Sequence, residues 1–148
     1  MRVFSRNIAI DIDKNPDEML LVRSHMTDVF HDILVHLTVS RPGFVIEKAE
    51  IWMDRVPAGD RCREVFPIVK HLEGLSIKRG FTNRVTSLLG GGQGCPNVLN
   101  LVLVAAPLAI NASWLSDASK GRITPSEVKR VGAKSLEGVC IAYTGRKE

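Results

Sequence analysis

From His31 to Ser40 apolar and polar side chains alternate without a slip: Ile33, Val35, Leu37 and Val39 fall on one face, and Leu34, His36, Thr38 and Ser40 on the other. A period of two held over that length fits a half-buried β-strand and no helix. Ile8, Ile10 and Ile12 repeat the pattern around Ala9 and Asp11, and the run stops at the turn formers Asp13-Lys14-Asn15-Pro16-Asp17. Two further strands are predicted, one near Met19–Met26 and one over Phe44–Met53. Between the third and fourth, Pro42-Gly43 suits the centre of a tight turn, proline setting φ and glycine taking φ > 0. Four strands with short turns make an antiparallel meander over about residues 1–54, with one face half wet.

Beyond Pro57 the period changes. Val65, Ile68, Val69 and Leu72 stand at helical spacing, with Asp60 as a candidate N-cap, Gly74 as a stop, and Pro67 forcing a kink or a restart. Phe81, Val85, Leu88 and Leu89 predict a second helix, closed by Gly90-Gly91-Gly92-Gln93-Gly94. A third starts at Cys95-Pro96, where the proline lacks only an N–H that would be unpaired anyway, and runs to about Trp114 with a kink at Pro107. Thr124-Pro125-Ser126-Glu127 has the spacing of a capping box for a last short helix. Strands first and helices after read as one α+β domain over 1–148, with helices over about 60–135 packed on one face of the sheet and a C-terminal segment from 136.

The 148 residues suffice for one core, and 45% hydrophobic with 24% charged residues excludes disordered and fibrous classes. The most apolar stretch, Val98 to Ile110, falls short of the roughly 20 residues of a membrane span and reads as a core helix. The first residues carry charge without the apolar core of a leader, so a cytoplasmic protein is expected. The net charge of +4 collects at the end, where Lys120, Arg122, Lys129, Arg130, Lys134, Arg146 and Lys147 face only three acidic residues. Aromatics are 5% and no stacking or groove-reading motif is present, so the tail reads as a solvated basic face and not a nucleic-acid site. His25, His36 and His71 read as surface or structural, and Trp52 and Trp114 as core or rim aromatics.

Three cysteines, an odd number, point to free thiols or metal ligands. Cys62 follows a candidate helix cap and Cys95 is one, and helix N-termini favour thiolate, the form that binds metal or attacks carbon. By the period of two, His31 lies on the buried face of its strand, at the rim where helix starts can meet it. One histidine and two cysteines form a partial ligand set for zinc or iron. Asp32 points to the opposite face and Asn97 lies in the first turn after Cys95; both are candidates for supporting the ligands. Gly91, Gly92 and Gly94 give a weak anion-loop candidate, although the same glycines serve a sharp turn that delivers Cys95. The same residues also meet the minimum for a cysteine nucleophile, Cys95, with His31 as its base. Residues alone leave these readings open.

His31-Asp32 opening a strand, the hairpin, Cys62 before Leu72-Glu73-Gly74-Leu75-Ser76-Ile77, and Leu89-Gly90-Gly91-Gly92-Gln93-Gly94-Cys95 together resemble a bacterial family known only as a domain of unknown function. More distantly, the layout looks like the N-terminal scaffold domain of the NifU/IscU type, which assembles labile iron–sulfur clusters and often binds zinc. That resemblance implies a strand-start ligand at His31, a middle cysteine at Cys62 and a last cysteine at Cys95. Val29 and Gly94 stand where the scaffold has its first cysteine and a histidine. It implies a metal- or cluster-binding protein with three protein ligands and a fourth position open to water, substrate or a partner protein. A small zinc- or cysteine-dependent enzyme and a metal-free interaction subunit are the two alternatives.

Overall fold

The computed structural model describes residues 1–145; Arg146 and Lys147, the end of the basic tail, lie outside the described residues. Four antiparallel strands, β1 (Arg6–Lys14), β2 (Leu20–Asp28), β3 (Asp32–Val39) and β4 (Ile46–Arg55), form one sheet in chain order. They are followed by α1 (Asp60–Arg63), α2 (Phe66–Lys70), α3 (Phe81–Leu89), α4 (Pro96–Ala105), α5 (Leu108–Ser119) and α6 (Pro125–Leu136). Strands followed by helices is the expected α+β layout. The chain forms two compact units, Met1–Ala109 and Ile110–Glu148, and the boundary falls inside α5.

Cross-strand register turns the sequence alternation into rows. Ile8, Met26, Ile33 and Met53 stand opposite one another across the sheet, as do Ile12, Val22, Leu37 and Ala49. Val22, Met26, Ile33, Leu37 and Ala49 are fully buried, so this is the face the helices cover. α4 packs on β2, β3 and α3, and α2 packs on β4. Val98, Leu101, Val102 and Ala105 sink one side of α4 into that core. Because one face is apolar and the other polar, a slip of one residue would expose the whole inner set, which fixes the register.

Several expectations shift in detail. The helix predicted from Asp60 to Gly74 is two short pieces, with Pro67 in the first turn of the second, where its missing N–H does least harm. Asp60 is not the cap: Gly59, at φ +54°, takes that position, and Asp60 sits one residue later with its carboxylate 3.1 Å from Arg63. In the turn between β3 and β4 the positive φ falls on Phe44 and not on Gly43, and the Arg41–Pro42 peptide bond is cis. The long apolar helix breaks at Ala106-Pro107 into α4 and α5, since proline cannot donate to the preceding turn. By length and composition alone, the run Pro96–Ser119 is long and apolar enough to cross a bilayer.

In the second unit the capping box is complete. The Glu127 amide donates to Thr124 Oγ1 (3.2 Å), and the Thr124 amide donates to the Glu127 carboxylate (2.7 Å). From the last residue of α6 onward the apolar side chains stay open: Leu136, Val139, Ile141 and Tyr143 are exposed and Cys140 is half-buried.

The two faces of β3 predict opposite responses to truncation. Leu37→Ala is expected to cost about 2–5 kcal/mol, and Thr38→Ala, next to it on the open face, under about 1 kcal/mol. Urea denaturation of both variants checks this.

Candidate functional site

At the end of the sheet where β1 and β3 begin and β2 and β4 finish, the inner-face row changes from apolar to charged. Arg6 continues the parity of Ile8, Asp28 that of Met26, and His31 precedes Ile33 by two. Arg6 and Asp28 are direct cross-strand partners. The start of α4 reaches the same place, bringing Asn97 within reach of His31 and Arg6.

The Asp28 side chain is wholly buried and every contact it makes is from a donor. Arg6 Nε and Nη2 donate to Oδ2 at 2.8 and 2.7 Å. The Phe30 amide (2.7 Å), the His31 amide (2.8 Å) and His31 Nδ1 (3.0 Å) converge on Oδ1. Arg55 Nη2 donates to the Asp28 carbonyl at 2.8 Å and tightens the turn from outside. Burial alone would push the carboxyl up, but the Phe30 amide, Arg6 and the two His31 donors outweigh it and hold Asp28 well below the usual carboxylate range.

The ring closes through Asn97. Its Nδ2 lies 3.2 Å from His31 Nε2, and its Oδ1 accepts from Arg6 Nη1 at 3.1 Å. Arginine has only donors, so the amide oxygen must face Arg6 and the amide nitrogen must face the imidazole. Nε2 is then the acceptor, and the ring proton sits on Nδ1, pointing at Asp28. Two permanent charges, the Arg6 guanidinium and the Asp28 carboxylate, thus select one tautomer of His31 from opposite sides. This is the carboxylate–imidazole arrangement that orients histidines in metal and acid–base sites.

Of the expected residues, His31 and Asn97 are therefore brought together, joined by Arg6 and Asp28. Cys95 is the N-cap residue of α4, two positions before Asn97, extended (φ −132°, ψ 118°) and half-buried, with its side chain making no capping bond. Cys62 is the third residue of the four-residue α1, half-buried and free. Arg63, next to it, donates to the Met53 carbonyl at 3.1 Å, which ties α1 to β4 near the same end of the sheet. Among the described residues no three His, Cys, Asp or Glu side chains are grouped so that they could hold a metal ion. Asp32 lies on the other face, as its parity requires, with His25 Nε2 2.7 Å from its Oδ1.

The glycine loop has a steric reason. A Cβ on Gly94 would lie 1.9 Å from the Leu89 carbonyl oxygen, and one on Gly90 would lie 2.5 Å from that of Thr86. Gly91 is at φ +68°, whereas Gly92 has open space around it. The Gly90 and Gly94 amides donate to the Thr86 and Gly91 carbonyls. The loop thus doubles the chain back against the end of α3 and sets Cys95 at the start of α4.

Sequence reading misses Arg6, Asp28 and Arg55, because it starts the first strand too late and ends the second and fourth too early. The signal is the same period of two, carried one step further at each strand end.

An acid whose folded-state pKa is lowered contributes stability above its unfolded value and loses it as pH falls toward the folded one. Asp28→Asn is therefore expected to lower Tm at pH 7 by about 5 °C or more and to lose less than the wild type on acidification below about pH 4. Melting curves at both pH values check this. Long-range ¹H–¹⁵N spectra at pH 8 should show the His31 proton on Nδ1, and Arg6→Met should let the other tautomer appear.

No curated protein and no solved structure matches the chain. Residues 7–111, a span that holds Asp28, His31, Cys62, Cys95 and Asn97, match the model of a family described as a protein of unknown function, DUF2889. The match covers well over half of the chain, which therefore belongs to the DUF2889 family.

Proposed function

We propose that this chain binds a metal ion, zinc or the iron of a small iron–sulfur cluster, at the charged end of the sheet, with His31, Cys62 and Cys95 as its protein ligands. The observation that carries the reading is the Asp28–His31 pair. A buried carboxylate holds Nδ1 and leaves Nε2 as the lone-pair end, at the helix start that bears Cys95. Imidazole and thiolate suit zinc and iron alike. As placed, the three donors do not surround one point. Binding therefore requires the Asn97 amide to leave Nε2 and the two cysteine side chains to turn inward. A three-ligand zinc site supplies a polarised water, and an incompletely ligated cluster is labile or completed by a partner protein. Free thiols of this kind suit the reducing cytoplasm.

A second reading, a cysteine-dependent enzyme, draws support from Asp28. Cys95 as nucleophile and His31 as base lack an orienting group in the sequence, and Asp28 is such a group. A third, a metal-free interaction subunit, draws support from Val29 and Phe30, both exposed in the turn beside His31.

Elemental analysis with a visible spectrum, on protein purified without oxygen or chelator, separates the three. About one zinc per chain, or iron with sulfide and a brown chromophore, is expected, with loss of the metal in a Cys62→Ala/Cys95→Ala double variant. Stoichiometric metal retained by that variant overturns the ligand set. A wild-type protein without metal overturns the metal reading. Alkylation of Cys95 that slows in His31→Ala then favours the enzyme, and an unchanged rate favours the interaction subunit.

A further inference from the structure

The outer face of the sheet carries a second constellation, built by the same parity but pointing away from α2 and α4. His25 stands opposite Leu34, and Leu34 opposite Trp52, so one row crosses β2, β3 and β4. One step toward the sheet end, Asp32 pairs with Arg55, and a register shift between Asp32 and Ile33 leaves Asp54 as an extra residue on β4. Such a bulge re-aims side chains, and here Asp54 and Trp52 line one pocket together with His25, Asp32 and Leu34. The pocket measures about 370 Å³, in the range of small-molecule sites.

Its chemistry is that of a cation site with an aromatic wall. Trp52 is 44% exposed, an unusual position for the largest apolar side chain on a sheet. Asp32 has one oxygen engaged by His25 at 2.7 Å. Asp54 is exposed, and its side chain makes no hydrogen bond or ion pair among the described residues. The basic residues around this face are already engaged: Arg23 with Asp13, Lys48 with Glu50, and Arg55 with the Asp28 and His31 carbonyls. Of the two carboxylates beside this exposed indole and its leucine floor, Asp32 is held by His25, and the Asp54 side chain has no partner among the described residues.

We propose that this pocket binds a small molecule bearing a guanidinium group, its plane against the Trp52 indole, its N–H groups on the Asp54 carboxylate and its aliphatic stem over Leu34. A guanidinium suits this half-open site better than an ammonium. It is planar, more weakly hydrated, stacks on aromatic faces and presents paired donors to a carboxylate. The site is separate from the His31 ring, and the inference stands whether or not that ring binds metal.

The test is a titration of the full chain, followed by ¹H–¹⁵N spectra that include the Trp52 indole N–H, with ethylguanidinium, n-propylammonium and propionate as probes. Saturable shifts at His25, Asp32, Leu34, Trp52 and Asp54 are expected with ethylguanidinium. Trp52→Ala and Asp54→Asn, both at exposed positions and checked by their melting temperatures, should each weaken binding about tenfold. Equal binding of n-propylammonium overturns the guanidinium assignment. Shifts that never saturate, or that propionate reproduces, overturn the pocket. Affinity unchanged in either variant overturns the contact assigned to that residue.

Discussion

One buried carboxylate organises the functional end of this protein. Asp28 sits where the apolar inner face of the sheet ends, in a place where an unpaired charge would be costly. Its oxygens accept from Arg6, from the Phe30 and His31 amides and from the His31 ring, so strand pairing, the β2–β3 turn and the histidine's orientation all meet at one group. Because the carboxylate is oriented by rigid backbone donors, its contact with His31 is set by the fold and not by side-chain choice. The Arg6 guanidinium then closes the ring through Asn97, which couples the start of α4 to the sheet.

The sheet divides the chemistry in two. On the inner face, Arg6, Asp28 and His31 gather at the end that the start of α4 reaches. On the outer face, register brings His25, Asp32, Trp52 and Asp54 from three strands to one pocket, where His25 and Asp32 meet. Asp32 illustrates the division. It adjoins His31 in the chain, yet the strand's alternation sends the two side chains to opposite faces, and each finds a different partner.

Much of this was legible in the residues. The alternation over His31–Ser40 placed His31 on the inner face, and Cys95-Pro96 marked the start of α4, because a proline in the first turn and glycines before it leave few other conformations. The capping box at Thr124 read correctly because its geometry is local. What failed was whatever depended on sequence-distant partners. Asp28 lies two residues past the end read for the second strand, so nothing in the sequence drew it in. Its burial depends on Arg6, which lies 22 residues earlier in the chain. Trp52 read as a core or rim aromatic, yet its parity with Leu34 puts it on the uncovered face.

Periodicity set the order of strands and helices and the two faces of each strand, and the backbone limits of proline and glycine marked the start of α4. Which polar residues meet is settled by packing and register. The Arg6–Asp28–His31–Asn97 ring joins two strands, the turn before β3 and a helix, and the outer pocket joins three strands across a bulge. Register and packing create such contacts between residues far apart in the chain, and no local pattern records them.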